Sequence, residues 1–136
     1  MSGILVDSNV ILDLVTDDPR WADWSEQILE RYAAKEALFI NDQIYAEVSI
    51  GFQRIEEVDQ ALSRGDFIHL PFPKEALFLA GKVFLQYRRA GGLRLSPLPD
   101  FFIGAHAAVS GLPLLTRDRG RYQAYFPTIE LITPEQ

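Results

Sequence analysis

Two stretches decide how this chain is read: Gly3-Ile4-Leu5-Val6-Asp7-Ser8-Asn9 and Leu112-Pro113-Leu114-Leu115-Thr116-Arg117-Asp118. Each carries a short apolar run that gives way to polar residues and an aspartate. Runs that stay apolar at successive positions, rather than alternating, fit strands buried on both faces of a parallel sheet. Ligands of open α/β sheets bind outside the carboxyl ends of the strands. Asp7 and Asp118, far apart in the chain, are therefore expected at the same rim.

Working outward, strands are predicted over Gly3–Val6, Ala37–Ile40 and residues 67–70, 112–116 and 129–132. Helical patterns separate them. Asp7-Ser8-Asn9 offers capping side chains for a helix over residues 10–15. Trp21, Trp24, Ile28 and Tyr32 recur at helical spacing over residues 21–34. Asn41-Asp42 caps a helix running to Gly51 or Phe52. Ile55–Arg64 is helical and closed by Gly65. Lys74–Arg89 is helical, with Leu77, Ala80, Gly81, Phe84 and Arg88 along one stripe. Pro99–Ser110 is helical, with proline at its start and Gly111 just past its end. Residues 117–126 read as a loop or short helix. Alternating strands and helices predict an α/β fold, and the length predicts one domain over residues 1–136.

The composition narrows the function. There is no cysteine among the 136 residues, so disulfides, thiolate metal sites and cysteine nucleophiles are excluded. No apolar run is long enough to span a bilayer, and the start lacks the basic-then-apolar pattern of a signal peptide. A cytoplasmic location is the expectation. The net charge is −6 but unevenly spread. Residues 1–66 hold 14 acids and 5 bases, whereas residues 67–136 hold 5 acids and 8 bases. Arg88, Arg89, Arg94, Arg117, Arg119 and Arg121 cluster in the second half, and arginine suits phosphate. The same arginines read equally well as a solvated face.

Four carboxylates stand out: Asp7, Glu47, Asp100 and Asp118. Asp7 and Asp100 begin helices, where an acid also serves as a cap or complements the dipole. Ser8 and Asn9 offer alternative caps that would free Asp7. Glu47 lies on or beside the apolar stripe of its helix, and a glutamate there is either paired or reaching for solvent. Asp118 is a turn residue or a ligand. Thr116 would hold a neighbouring carboxylate or a water, or act as a cap. Grouped carboxylates repel unless a proton or cation neutralises them, and a hard divalent cation prefers oxygen ligands. Gly104 and Ala107 or Ala108 follow Asp100 on its helix, where small residues admit the close approach of another backbone. His106 and His69 without cysteine make no zinc site. No Gly-x-Ser-x-Gly turn, Lys-Ser/Thr phosphate loop or Gly-x-Gly-x-x-Gly is present.

Together, Asp7-Ser8-Asn9, Glu47, Pro99-Asp100-Phe101-Phe102-Ile103-Gly104-Ala105-His106, Leu115-Thr116-Arg117-Asp118 and the stretch from Tyr122 to Tyr125-Phe126-Pro127 resemble the PIN domain. The detail is most similar to the VapC-type toxins of toxin–antitoxin pairs. The resemblance covers essentially the whole chain. It implies a three-layer α/β/α fold on a mainly parallel sheet of about five strands. It implies an endoribonuclease dependent on Mg²⁺ or Mn²⁺, restrained by a VapB-type antitoxin and often a homodimer. Asp7, Glu47, Asp100 and Asp118 would be the catalytic and metal-binding quartet, and Ser8, Asn9 and Thr116 accessory polar groups. Arg94, Arg117, Arg119 and Arg121 would hold the RNA. Some PIN domains carry a further acid shortly after the position of Asp118. Here Arg119-Gly120-Arg121-Tyr122 follows.

Two alternatives stand beside this reading. A phosphatase forming an aspartyl-phosphate on Asp7 would want a second aspartate where Asn9 stands. A non-catalytic PIN-like binding domain would use the acids as caps or a structural cation site. Tyr122 and Tyr125 read as core packing or as platforms for stacked bases. Trp21, Trp24, Phe72, Phe78, Phe101 and Phe102 exceed what one small core needs, leaving some for a dimer seam or an antitoxin groove.

Overall fold

The structure, a computed structural model, describes residues 2–134. Five short strands form one sheet: β1 (Gly3–Val6), β2 (Ala37–Ile40), β3 (Phe67–His69), β4 (Leu114–Leu115) and β5 (Leu131–Ile132). Their order is β3-β2-β1-β4-β5, and every pairing is parallel. The chain thus winds from β1 through β2 to β3, then returns to place β4 on the other flank of β1. Between β1 and β4 lies the point where the winding reverses, the place where α/β sheets bind ligands. The mainly parallel five-stranded sheet expected from the sequence is present.

Seven helices fill the connections: α1 (Ser8–Val15), α2 (Ala22–Ala33), α3 (Asp42–Ser49), α4 (Ile55–Arg64), α5 (Lys74–Arg89), α6 (Pro99–Ser110) and α7 (Gly120–Tyr125). Crossovers between parallel strands are right-handed as a rule, so the outward and return windings put helices on opposite faces, giving the α/β/α layering. The helices pack accordingly: α1 against α2 and α3, and α6 against α5 and α7. Among the described residues no helix is long and apolar enough to cross a membrane.

The centre of the sheet is dry. Ile4, Leu5, Val6, Leu114 and Leu115 are all fully buried. That is why both strands read as unbroken apolar runs.

Two expectations are corrected. The buried stripe of α5 is Ala76, Ala80 and Val83, not the one through Leu77, Phe84 and Arg88. The alanines let α5 lie close against α6, and Leu77 turns outward. Gly65 closes α4 as expected, with a negative φ, and the left-handed residue is Asp66 just after it, at φ 55°. Ser8 and Asn9 lie inside α1, and Asp7 is itself the N-cap. Of the surplus aromatics, Phe101 is fully buried, Phe72 packs on His106 and edge-on to Phe102, and Phe78 is exposed.

Gly104 of α6 faces the ring of Phe126. A Cβ there would stand 2.4 Å from two ring carbons. The close approach expected at this position is therefore to a side chain, not to another backbone. Phe126 is itself buried, so its ring has little room to yield. Gly104→Ala gains helix propensity of about 1 kcal/mol, yet overpacking of this kind costs about 1–3 kcal/mol. A net loss of stability is expected in urea denaturation, with most of it recovered when Phe126 is also shortened to Leu.

Candidate acidic active site

The β1–β4 pairing builds the site. Val6 stands opposite Leu115, and the Asp7 N–H donates to the Leu115 carbonyl at 2.9 Å. The residues that follow the two strands must therefore meet. Thr116 Oγ1 donates to Asp7 Oδ2 at 2.8 Å and accepts from the Asp118 N–H at 3.0 Å and from Asn9 Nδ2 at 3.2 Å. One donor and two acceptor positions exhaust what a threonine hydroxyl offers. Thr116 thus holds a neighbouring carboxylate.

Asp7 is the hub. Its Oδ1 caps α1 by accepting from the Ser8 N–H at 2.8 Å. Ser8 Oγ stands 3.5 Å from that oxygen and donates to Glu47 Oε1 at 2.7 Å, so α3 is drawn to the same rim. Tyr122 Oη donates to Asp7 Oδ2 at 3.0 Å and lies 3.4 Å from Asp100 Oδ1, at the first turn of α6. Three hydroxyls, from Ser8, Thr116 and Tyr122, thereby tie Asp7 to the side chains of Glu47 and Asp100 and to the backbone of Asp118.

A second tie joins the helices that carry Glu47 and Asp100. Asn41 caps α3 through Oδ1, and its Nδ2 lies 3.0 Å from His106 Nδ1 on α6. An amide N–H can only donate, so this ring nitrogen accepts and the imidazole proton sits on Nε2. Burial lowers the His106 pKa, consistent with a neutral ring.

The electrostatics are those of crowded acids. Asp7 is 4% exposed, and its pKa is raised to about 6, chiefly by burial. Bonds from Thr116 and Tyr122 pull it down, while Asp100 and Glu47 push it up. The Asp100 pKa is raised by burial first and Asp118 next, against the opposing effect of Arg121. Each of the four carboxylates thus belongs to one mutually repelling set. All are hard oxygen donors, the chemistry Mg²⁺ or Mn²⁺ prefers. Among the described residues no three acids or histidines already close around a single point. The chemistry of the donors suits a divalent cation, with Asp100 partly exposed and Asp118 exposed at the rim.

The arginines divide by role. Arg117 is engaged with Asp13: Nε donates to Oδ2 at 2.7 Å and Nη2 to Oδ1 at 3.0 Å, while the guanidinium lies over Trp21. Its backbone N–H donates to Asn9 Oδ1 at 3.2 Å. Arg119 donates to Thr133, and Arg94 lies on the exposed loop after α5, its carbonyl held by Arg88. Arg121 reaches the acids, with Nη1 3.7 Å from Asp100 Oδ2. It is the arginine of the expected four that the geometry puts beside the cluster.

Two contributors were missed from the sequence. Asp13 is 3% exposed and also accepts from Ser25 Oγ at 2.7 Å. The signal was present: an acid inside the apolar run Val10-Ile11-Leu12-Asp13-Leu14-Val15 demands a buried partner. It lies one turn after Asn9, so one face of α1 grips both the backbone and the side chain of Arg117. Tyr122, fully buried, is no platform for bases, and its hydroxyl serves the acids.

Known proteins agree with this architecture. The sequence matches the profile of the PIN domain over residues 4–127. No curated protein matches it. Among solved structures, the chain is similar to VapBC2 from Rickettsia felis bound to a promoter DNA fragment, with a TM-score of 0.75 and 18% identity over 97% of this chain and 98% of that one. It is also similar to FitAcB from Neisseria gonorrhoeae, with a TM-score of 0.69 and 20% identity over 96% of this chain and 97% of that one. DNA-bound VapBC from Salmonella typhimurium gives 0.68 and 19%, covering 98% of both chains. With the profile spanning nearly the whole chain, and Asp7, Glu47, Asp100 and Asp118 gathered at the rim where its sheet reverses, the protein belongs to the PIN domain family.

Proposed function

We propose that this chain is a Mg²⁺- or Mn²⁺-dependent endoribonuclease and the toxin of a VapBC-type toxin–antitoxin pair. The observation that carries the reading is the junction of Asp7, Glu47 and Asp100 through the hydroxyls of Ser8 and Tyr122, with Thr116 joining Asp7 to the backbone of Asp118. A structural role needs no such convergence, because caps and turns are satisfied locally.

Asp7 and Asp100 would hold the cation, with Glu47 and Asp118 completing the site directly or through water. The bound cation supplies charge neutralisation at a phosphate and a water of lowered pKa. Thr116 and the Ser8 N–H hold Asp7 in place, one donating to each carboxylate oxygen, and Oδ1 keeps a lone pair for a cation. Arg121, beside Asp100 and half-exposed, is placed to meet a phosphodiester that approaches the acids. Hydrolysis by water that releases the 3′-oxygen leaves 5′-phosphate and 3′-hydroxyl ends.

The partner part of the reading draws on the solved relatives, which are VapBC and other toxin–antitoxin complexes. The surface supports a protein partner as well. Ile50, Leu93 and Leu95 are more than four-fifths exposed, with Ile55 and Phe78 also largely uncovered. A VapB-type antitoxin and a second copy of the chain are the partners proposed for these surfaces, in the cytoplasm.

The test is cleavage of mixed cellular RNA by purified, antitoxin-free protein in Mg²⁺, Mn²⁺ or chelator, with Asp100→Asn alongside. Cuts at few sites that need the cation and disappear in the variant are expected. Folded, cation-replete protein that leaves a broad RNA pool intact would instead favour a binding domain.

A further inference from the structure

Tyr122 is fully buried, yet its ring ends between two acids rather than in an apolar pocket. Packing alone does not ask for a hydroxyl there. A phenylalanine would fill nearly the same volume without the cost of burying a polar group. A buried phenol finds a partner, and this one is aimed at Asp7 Oδ2, 3.0 Å away, and Asp100 Oδ1, 3.4 Å away.

Asp7 has less need of the contact than Asp100 has. Thr116 and the Ser8 N–H already donate to both Asp7 oxygens. Among the described residues, Asp100 has besides it the Arg121 guanidinium, at 3.7 Å on its other oxygen. The distinct effect of the hydroxyl is therefore to couple the two carboxylates. The backbone makes this possible: Phe126, four residues after Tyr122, lies against the bare Gly104 and draws α7 close onto α6.

We propose that Tyr122 is a positioning residue of the acidic site, its hydroxyl holding the Asp7 and Asp100 carboxylates close enough together to ligate one divalent cation. The inference rests on the nuclease reading and assigns to α7 a part that the four acids do not supply. Tyr122 touches neither cation nor substrate in this role. It acts through the two acids.

The experiment is calorimetric titration of the purified chain with Mn²⁺ alone, without RNA, comparing wild type with Tyr122→Phe. Val58→Ala, in the buried face of α4, serves as a destabilised control away from the acids. Tyr122→Phe is expected to fold and to bind Mn²⁺ about tenfold or more weakly, the range seen when partners of metal ligands are removed. Val58→Ala should stay within about twofold of wild type. Equal or tighter binding by Tyr122→Phe would overturn the proposal. So would an equal loss in Val58→Ala, or a Tyr122→Phe chain that fails to fold in saturating Mn²⁺, because the hydroxyl would then serve the fold. Wild type that binds no Mn²⁺ would sink the nuclease reading along with the proposal. Wild-type binding unchanged by Tyr122→Phe sinks only the role of the hydroxyl.

Discussion

Asp7→Asn is expected to abolish cleavage and, in the same protein, to raise the stability of the metal-free fold at pH 8. Both effects come from one carboxylate. Its pKa is raised from 3.8 to about 6, with burial the leading cause. The folded state thus binds this proton more tightly than the unfolded chain does. Stability contributed by the group is fully present below the unfolded value and is lost as pH rises through about 6. Above that, the ionised, buried acid destabilises the fold by roughly 2–3 kcal/mol, at about 1.4 kcal/mol per unit. Asparagine removes the charge and keeps an oxygen for the Ser8 N–H. Its amide can donate to the Tyr122 oxygen, reversing a bond that the carboxylate accepts, while the Thr116 oxygen, which already accepts twice, takes no third bond. Urea denaturation in chelator should find the variant more stable at pH 8 and the advantage gone at pH 4. A variant less stable than wild type at pH 8 would mean that the hydrogen bonds to the charged form outweigh its burial. Cleavage should fall at least about a hundredfold, since loss of a ligand exceeds the loss of a ligand's partner. Saturating Mn²⁺ should reverse the stability order, because cation binding stabilises only the chain that retains its ligands.

The second large effect is expected at Asp13, outside the acidic cluster. Asp13→Ala breaks a two-bond pair with Arg117 and strands both the guanidinium and the Ser25 hydroxyl. Removing one partner of a buried ion pair costs about 3–5 kcal/mol. Arg117 keeps 27% of its side chain in solvent, which places the cost toward the lower end. Against a total stability of about 5–15 kcal/mol, that is roughly a fifth to more than half of the whole. The loss should also reach the acids, because Arg117 immediately precedes Asp118 and its N–H is held by Asn9. A double-mutant cycle with Arg117→Ala in urea denaturation measures the coupling. A coupling energy of at least about 1.5 kcal/mol is expected, and Asp13→Leu with Arg117→Met should recover much of the fold, since apolar pairs often replace buried ion pairs without loss. Additive single losses would show that the pair contributes no mutual stabilisation.

Much of this molecule was legible along the chain. Strands buried on both faces announce themselves by unbroken apolar runs, as in Ile4-Leu5-Val6. Helix ends announce themselves by local chemistry, as Asn41 does for α3 and Pro99 and Gly111 do for α6. The rim position of Asp7 and Asp118 followed from a rule about strand ends. What failed was finer. A helical pattern rich in apolar residues allows several adjacent stripes, so the buried one of α5, Ala76, Ala80 and Val83, is not fixed by spacing alone. Three candidate caps in a row left the choice among Asp7, Ser8 and Asn9 undecided.

The sequence by itself determined the α/β class, the order of the elements along the chain and the strand-end position of Asp7 and Asp118, because these depend on periodicity and on residues near one another in the chain. Only the tertiary structure decided that Tyr122 reaches Asp7 and Asp100, that Arg117 is spent on Asp13, and that Arg121 is the arginine beside the acids. Those pairings join residues from different helices and strands. Their meeting depends on crossing geometry of a few ångströms, set by the β1–β4 register and by the ring of Phe126 against Gly104, and no local pattern encodes a distance between elements.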